Sequence, residues 1–158
     1  MILERGDMWS VFGKTDLFLI TTNPIMRKDG AVVMGRGIAK QVADKFPGLP
    51  WDFGRYLQQF SVLHRRPYTG NLGMYGGQDI GFFMVKDHWR EPAQLSIIEQ
   101  SVQSMLNAMH YRGIPGGIPP RLRWDLNFPG IGNGKLKRED VLPLIEKLPD
   151  NVHVWEYG

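Results

Sequence analysis

The 158-residue chain has no cysteine, which excludes disulfides, thiolate metal centres and cysteine nucleophiles. No apolar run approaches the roughly 18 residues of a membrane span. Residues 1–7 lack the charged-then-apolar layout of a secretory signal, so a soluble cytoplasmic domain is expected. Charge of one sign is scarce as well. Nineteen Lys+Arg against 16 Asp+Glu give a net charge of +3, which permits an anionic partner without demanding nucleic acid. The four histidines (His64, His88, His110 and His153) show no metal-ligand spacing, and neither a metal nor a resident cofactor is expected. The G-x-x-x-x-G-K-[ST] phosphate loop is missing, which removes the P-loop NTPases. So is G-x-S-x-G, and with it the serine-elbow hydrolases. Gly35-x-Gly37 is followed by Lys40 where the dinucleotide fingerprint wants Gly or Ala, which argues against a Rossmann dehydrogenase.

What the chain does have is glycine. Gly (19) and Pro (11) make up nearly a fifth of it, against roughly 12% on average. There is no Gly-X-Y period, and 42% hydrophobic with 11% aromatic residues speaks against disorder. The glycines therefore belong in ordered turns or where backbone approaches a ligand.

Apolar runs and helical spacing place the elements. Strands are expected at 1–5, 16–21, 80–86, 122–128 and 152–155. Ile38, Val42 and Phe46 mark a helix over 36–46, stopped by Pro47-Gly48, and a second helix is expected at 51–60. Residues 65–79 read as a Gly-rich loop with a short strand around 72–75. Leu95, Ile98, Val102, Met105, Leu106 and Met109 form one stripe of a helix over 94–111. A Pro/Gly connector follows at 113–120. The last helix covers 138–148, with Pro143 in its first turns or at a boundary. Alternating strands and helices predict one α/β domain over residues 1–158. Its expected form is a three-layer α/β/α sandwich with a mixed, mostly parallel sheet.

Ligands of such sheets bind beyond the carboxyl ends of the strands, and both dense glycine loops fall there. The first runs from Thr22-Asn23-Pro24 to Gly35-Arg36-Gly37-Ile38, at the start of a helix. Bare backbone at that point lets amides approach a phosphate, and the helix dipole favours an anion. The second is Phe128-Pro129-Gly130-Ile131-Gly132-Asn133-Gly134-Lys135, whose alternating glycines suit amides curled around an oxyanion. Either loop alone reads most simply as a tight turn. The pair points to a nucleotide-like ligand.

The pattern resembles the macro domains over essentially the whole chain. Gly6-Asp7-Met8-Trp9 is similar to their Gly-Asp-Ile segment. Asn23 with Met34-Gly35-Arg36-Gly37-Ile38-Ala39 is similar to their first ligand loop, and 128–134 to their second. Met84-Val85-Lys86-Asp87-His88-Trp89-Arg90 and Gly132-Asn133-Gly134-x-Leu136 resemble one branch, that of the DNA ADP-ribosyl glycohydrolase antitoxins and the terminal ADP-ribose glycohydrolase. The resemblance implies ADP-ribose as ligand, without a cofactor. Asp7 would accept from the adenine amine, with Met8 beside it, and Trp155 or Tyr157 would flank the adenine. Asn23 would bind the distal ribose. Gly35, Arg36, Gly37 and Ile38 would hold one phosphate, and Gly130, Ile131, Gly132, Asn133 and Gly134 the other. Lys86, with Asn23, would serve catalysis. Gly134 stands where the terminal glycohydrolase has a catalytic aspartate, and the insert 25–30 lengthens the first loop beyond the branch's pattern.

The activity implied is an ADP-ribosyl hydrolase releasing ADP-ribose from a nucleic acid or protein acceptor, acting as a monomer and away from membranes. Three alternatives stay open at this level. One is a non-catalytic ADP-ribose reader or metabolite binder. Another is an ADP-ribose-1″-phosphate phosphatase, for which the sequence offers no clear base. The last is a nucleic-acid module using His64-Arg65-Arg66 and Lys135-Leu136-Lys137-Arg138.

Overall fold

A computed structural model describes residues 1–63, 65–110 and 122–157 of the chain. One six-stranded sheet carries the fold. Its strands are β1 (Ile2–Arg5), β2 (Leu17–Thr22), β3 (Thr69–Tyr75), β4 (Gln78–Met84), β5 (Trp124–Asn127) and β6 (Val152–Glu156). They lie side by side in the order β1-β6-β5-β2-β4-β3. Every neighbouring pair is parallel except β3 with β4, so the sheet is mixed and mostly parallel. The helices are α1 (Gly37–Lys45), α2 (Leu49–Ser61), α3 (Leu95–His110) and α4 (Arg138–Ile145). None is long and apolar enough to cross a membrane, among the described residues.

Period-two alternation divides the side chains of β2 between two cores. Leu17 and Leu19 face one side with Phe83, Leu126 and Val154, against Ile98, Val102 and Met105 of α3 and Val141 and Ile145 of α4. Phe18 and Ile20 face the other with Ile80 and Phe82, against Val42 of α1 and Leu49, Phe53 and Leu57 of α2. The Phe53 and Phe82 rings stack at 4.6 Å. Each is fully buried, a gain of about 1.5–3 kcal/mol per side chain. Helices cover both faces, giving the three layers expected.

Several expectations need correction. The 65–79 segment holds a full seven-residue strand, β3, joined to β4 by a tight turn at Gly76 and Gly77, both at positive φ. Its glycines argued for a loop, but Gly70 has a packing reason: a Cβ there would stand 2.5 Å from the Tyr56 hydroxyl and 2.7 Å from the Phe82 ring. In α3, Leu95 is 38% exposed, while Ile97 and Ser101 are buried; the apolar face is rotated from the predicted stripe at the helix start. Pro143 lies inside α4, two residues before its end, rather than at a boundary, and the helix stops at Ile145, short of the expected 148. Strand β4 ends at Met84, which leaves Lys86 two residues past the strand rather than at its end. The connector 113–120, His64 and Tyr111 lie outside the described residues.

Candidate functional site

Strands β2 and β5 are neighbours, so the loops leaving their carboxyl ends face each other. The first loop is a small hairpin. Met26 and Val32 form an antiparallel bridge, and the Arg27 N–H donates to the Ala31 carbonyl at 2.7 Å. Asn23 closes its base. The side-chain oxygen accepts from the Ile25 N–H at 2.8 Å, and Nδ2 donates to the Val33 carbonyl at 3.0 Å. The Asx turn before Pro24 is thus formed, and the side chain is 6% exposed. The hairpin tip leans on α2. The Val32 N–H donates to the Pro50 carbonyl at 3.0 Å, and the Gly30 carbonyl occupies the space a Cβ on Gly54 would need. The chain then enters α1, whose N-terminus has no side-chain cap and no acidic residue in its first turn. Such an end favours an anion.

The second loop is held by its own backbone. Gly132–Gly134 makes one 3-10 turn, with Lys135 in the left-handed region at φ 63°. The Leu136 N–H returns to the Gly130 carbonyl at 2.9 Å. Gly130 has φ 79°, which is costly for any residue with a Cβ. The Gly134 N–H, expected to face a phosphate, donates to the Ile131 carbonyl at 3.3 Å, and the Gly134 carbonyl accepts from the Ala93 N–H at 2.9 Å.

Between the loops lie two cavities that share a wall. The inner one, about 250 Å³, is lined by Asn23, Gly35, Arg36, Lys86, Trp89, Gly130 and Gly134 among others. The outer one, about 580 Å³, is lined by Asp7, Met8, Trp9, Gln41, Gly132, Trp155 and Tyr157. Gly37, Ile38, Asn127, Phe128, Ile131 and Asn133 line both. At that neck the loops touch: a Cβ on Gly37, whose φ is 58°, would lie 3.5 Å from Asn133 Nδ2. Together they make one groove across the carboxyl edge of the sheet. Every residue to which the resemblance gives a part in ligand binding or catalysis lies on the wall of one cavity or of both; the basic clusters at 65–66 and 135–138 line neither.

The two ends differ in chemistry. At the outer end Asp7 caps the 3-10 helix Met8–Val11, accepting from the Trp9 N–H at 2.9 Å. Trp155 is half-buried and its Nε1 donates to Asp125 at 2.7 Å, whereas Tyr157 is 92% exposed. Asp125 itself is fully buried and takes two hydrogen bonds from the Arg123 guanidinium at 3.0 Å. Burial pushes its carboxyl up, but the hydrogen bonds from Arg123, Thr15 and Trp155 and the Arg123 charge outweigh it and hold it below the ordinary carboxylate value. At the inner end Lys86 is half-buried, with Nζ 3.5 Å from the Trp89 carbonyl. Burial and the nearby Arg36 and Lys135 charges lower its pKa. Asp87 points elsewhere and pairs with Arg66, as alternation along an extended chain requires.

Sequence reasoning missed several wall residues, Gln41 of the outer cavity among them. Thr21 and Asn127 tie β2 to β5 beneath the neck, with Asn127 Nδ2 donating to Thr21 Oγ1 at 2.8 Å and the Thr21 N–H to Asn127 Oδ1 at 3.1 Å. Trp89 was quoted only as part of a resemblance. A tryptophan directly after Lys-x-His was the signal that could have placed it. Among the described residues no group of His, Cys, Asp and Glu is arranged to hold a metal ion.

The architecture matches solved structures. The macrodomain of Mycobacterium tuberculosis DarG superposes with a TM-score of 0.66, covering 99% of this chain and 97% of that one at 24% identity. This chain has the macrodomain fold. Thermosipho africanus DarTG, solved in complex with ADP-ribose, gives a TM-score of 0.69 over 100% of this chain and 42% of its own, at 21% identity. In sequence, the DNA ADP-ribosyl glycohydrolase of M. tuberculosis is 27% identical over 145 residues, 88% of this chain and 39% of its own length. The chain thus spans about two-fifths of that relative. No family model matches it. The β2 and β5 loops therefore form a groove at the carboxyl edge of the sheet in a macrodomain fold.

Proposed function

We propose that the groove binds ADP-ribose and that the protein hydrolyses the bond between its distal ribose and an acceptor, with DNA as the acceptor its sequence relatives suggest. The observation that carries this reading is the continuity of the groove. An aromatic outer cavity and a cationic inner one meet at a neck where two glycine-rich backbones face each other. Adenine fits between Met8 and Trp155, with the second oxygen of Asp7 accepting from its amine. The diphosphate lies at the neck, by the open end of α1. The distal ribose then reaches Asn23 and Lys86.

The chemistry follows from Lys86. Its neutral amine attacks C1″, and the acceptor departs with the bonding pair and takes up the proton the amine releases. Ring opening leaves an imine between Nζ and C1″. Water hydrolyses the imine, restoring the amine and freeing ADP-ribose. The neutral amine is the nucleophile, so turnover rises with pH through the lowered pKa of Lys86 and levels off above it. Among the described residues, the inner wall carries no Asp, Glu or His, which gives a phosphatase no general base.

Calorimetry with ADP-ribose, AMP, ADP and NAD tests the ligand, and tight binding to ADP-ribose alone is expected. Lys86→Ala should abolish release of ADP-ribose from a modified oligonucleotide while ADP-ribose still binds. Binding by the unaltered protein without any release would make it a reader instead.

A further inference from the structure

The groove has two ends, and the inner one opens beside a turn that the proposed reaction does not use. Trp89 stands in the inner wall next to Lys86, whose Nζ reaches its carbonyl. The His88 ring stacks on the Trp89 indole at 5.6 Å and 25°. From the next residue, the Arg90 guanidinium lies 4.6 Å from the centre of the indole. The turn is closed on His88: the Arg90 N–H donates to the His88 ring at Nδ1, 3.1 Å away, and the Glu91 N–H to the His88 carbonyl at 3.1 Å. Arg90 is exposed, and His88 and Trp89 are half-buried. The neighbouring acid, Asp87, is taken up by Arg66.

We infer that His88, Trp89 and Arg90 form the seat of the acceptor, where a base of single-stranded nucleic acid stacks on the rings while Arg90 meets the adjoining phosphate. This rests on the reading of the groove as an ADP-ribose site, because an acceptor joined at C1″ leaves the ligand at Lys86 and next encounters this turn. Aromatic planes flanked by cations hold single-stranded bases without regard to sequence. A glutamate or aspartate acceptor on a protein has no flat face to lay against an indole. It would gain from the cations alone.

The test compares three ligands in the Lys86→Ala background, where nothing is consumed: free ADP-ribose, a single-stranded oligodeoxynucleotide carrying ADP-ribose on a base, and a peptide carrying it on glutamate. The oligonucleotide should bind about tenfold more tightly than free ADP-ribose, in the range of one base–aromatic stack. Trp89→Ala should erase that advantage and Trp89→Phe should keep most of it. Arg90→Ala, a surface change that leaves the wall intact, should flatten the salt dependence of oligonucleotide binding by about one phosphate contact. The proposal is overturned if the oligonucleotide advantage survives both Trp89→Ala and Arg90→Ala, or if the peptide gains as much as the oligonucleotide. Failure of free ADP-ribose to bind at all would instead overturn the function itself. Normal binding of ADP-ribose with no oligonucleotide advantage would overturn the acceptor seat alone.

Discussion

The two loops that face each other across the groove reach the same end by different means. The first is long and, beyond the clasp of Asn23 across its own base, is held from outside: Pro50 receives its Val32 N–H, and its tip rests where Gly54 leaves space on α2. The second is short and is held mainly from within, by a 3-10 turn and three residues at positive φ, namely Gly130, Gly132 and Lys135, with the Ala93 N–H on the Gly134 carbonyl as an outside tie. A loop braced by distant elements fails when its support shifts. One braced by its own turn fails when its own torsions are disturbed.

That contrast can be broken experimentally. The largest effect should come from a residue that supports neither loop. Asp125→Asn removes a buried charge held by Arg123 and Trp155. It should cost about 3 kcal/mol in chemical denaturation, with both loops keeping their relative protection in hydrogen exchange. Because the Asp125 carboxyl is depressed in the folded state, its contribution is complete above the ordinary value of about 3.9. It is lost as pH falls towards the folded value, so the mutant's acid-unfolding curve should be shallower than that of the wild type. Next, Gly54→Ala gains helix propensity but drives a methyl group into the Gly30 carbonyl. A net loss of about 2 kcal/mol is expected, with faster exchange confined to residues 23–33; equal loosening of the second loop would contradict the division drawn here.

Gly130→Ala should cost less. The new methyl would crowd the ends of the Ile98 and Leu136 side chains, at 2.7 and 2.9 Å, which can move, and would touch the Ala93 Cβ at an ordinary 3.4 Å, so about 1 kcal/mol is expected, mostly from the backbone. The smallest change is Lys135→Gly. It relieves a left-handed lysine and should shift stability by under about 1 kcal/mol. It also removes one of the cations that lower the pKa of Lys86. The rising limb of the pH–rate profile should therefore move to higher pH, and an unmoved limb would detach Lys135 from the inner end.

The second loop was readable in the sequence because its support is local: alternating glycines after a strand announce positive φ and bare amides. The central strands were readable too, since Phe18, Ile20, Phe82 and their neighbours form apolar runs. The supports of the first loop were not. Gly54 reads as a weak point in a helix until Gly30, 24 residues earlier in the chain, is placed against it. Strand β3 was legible only over 72–75 for a related reason, Gly70 at its start serving Tyr56 and Phe82 rather than a turn. Asp125 was hidden because, beside Trp124 and Leu126, it takes the polar place of an alternating strand, and nothing local distinguishes a carboxylate that water reaches from one that Arg123 and Trp155 enclose. Alternation also cannot tell a strand's last residue from the two that follow, which is why Lys86 was placed on the strand.

The bracing of the first loop by α2 has a consequence for association. A long loop ordinarily stays mobile until a ligand arrives, and part of the binding free energy is consumed in ordering it. Here that entropy is already surrendered when the chain folds, because the tip on Gly54, the bridge from Val32 to Pro50 and the clasp of Asn23 leave the hairpin little freedom. The groove meets its ligand in finished form. Tightness should then be set by how slowly the ligand escapes rather than by how long the loop takes to find its shape.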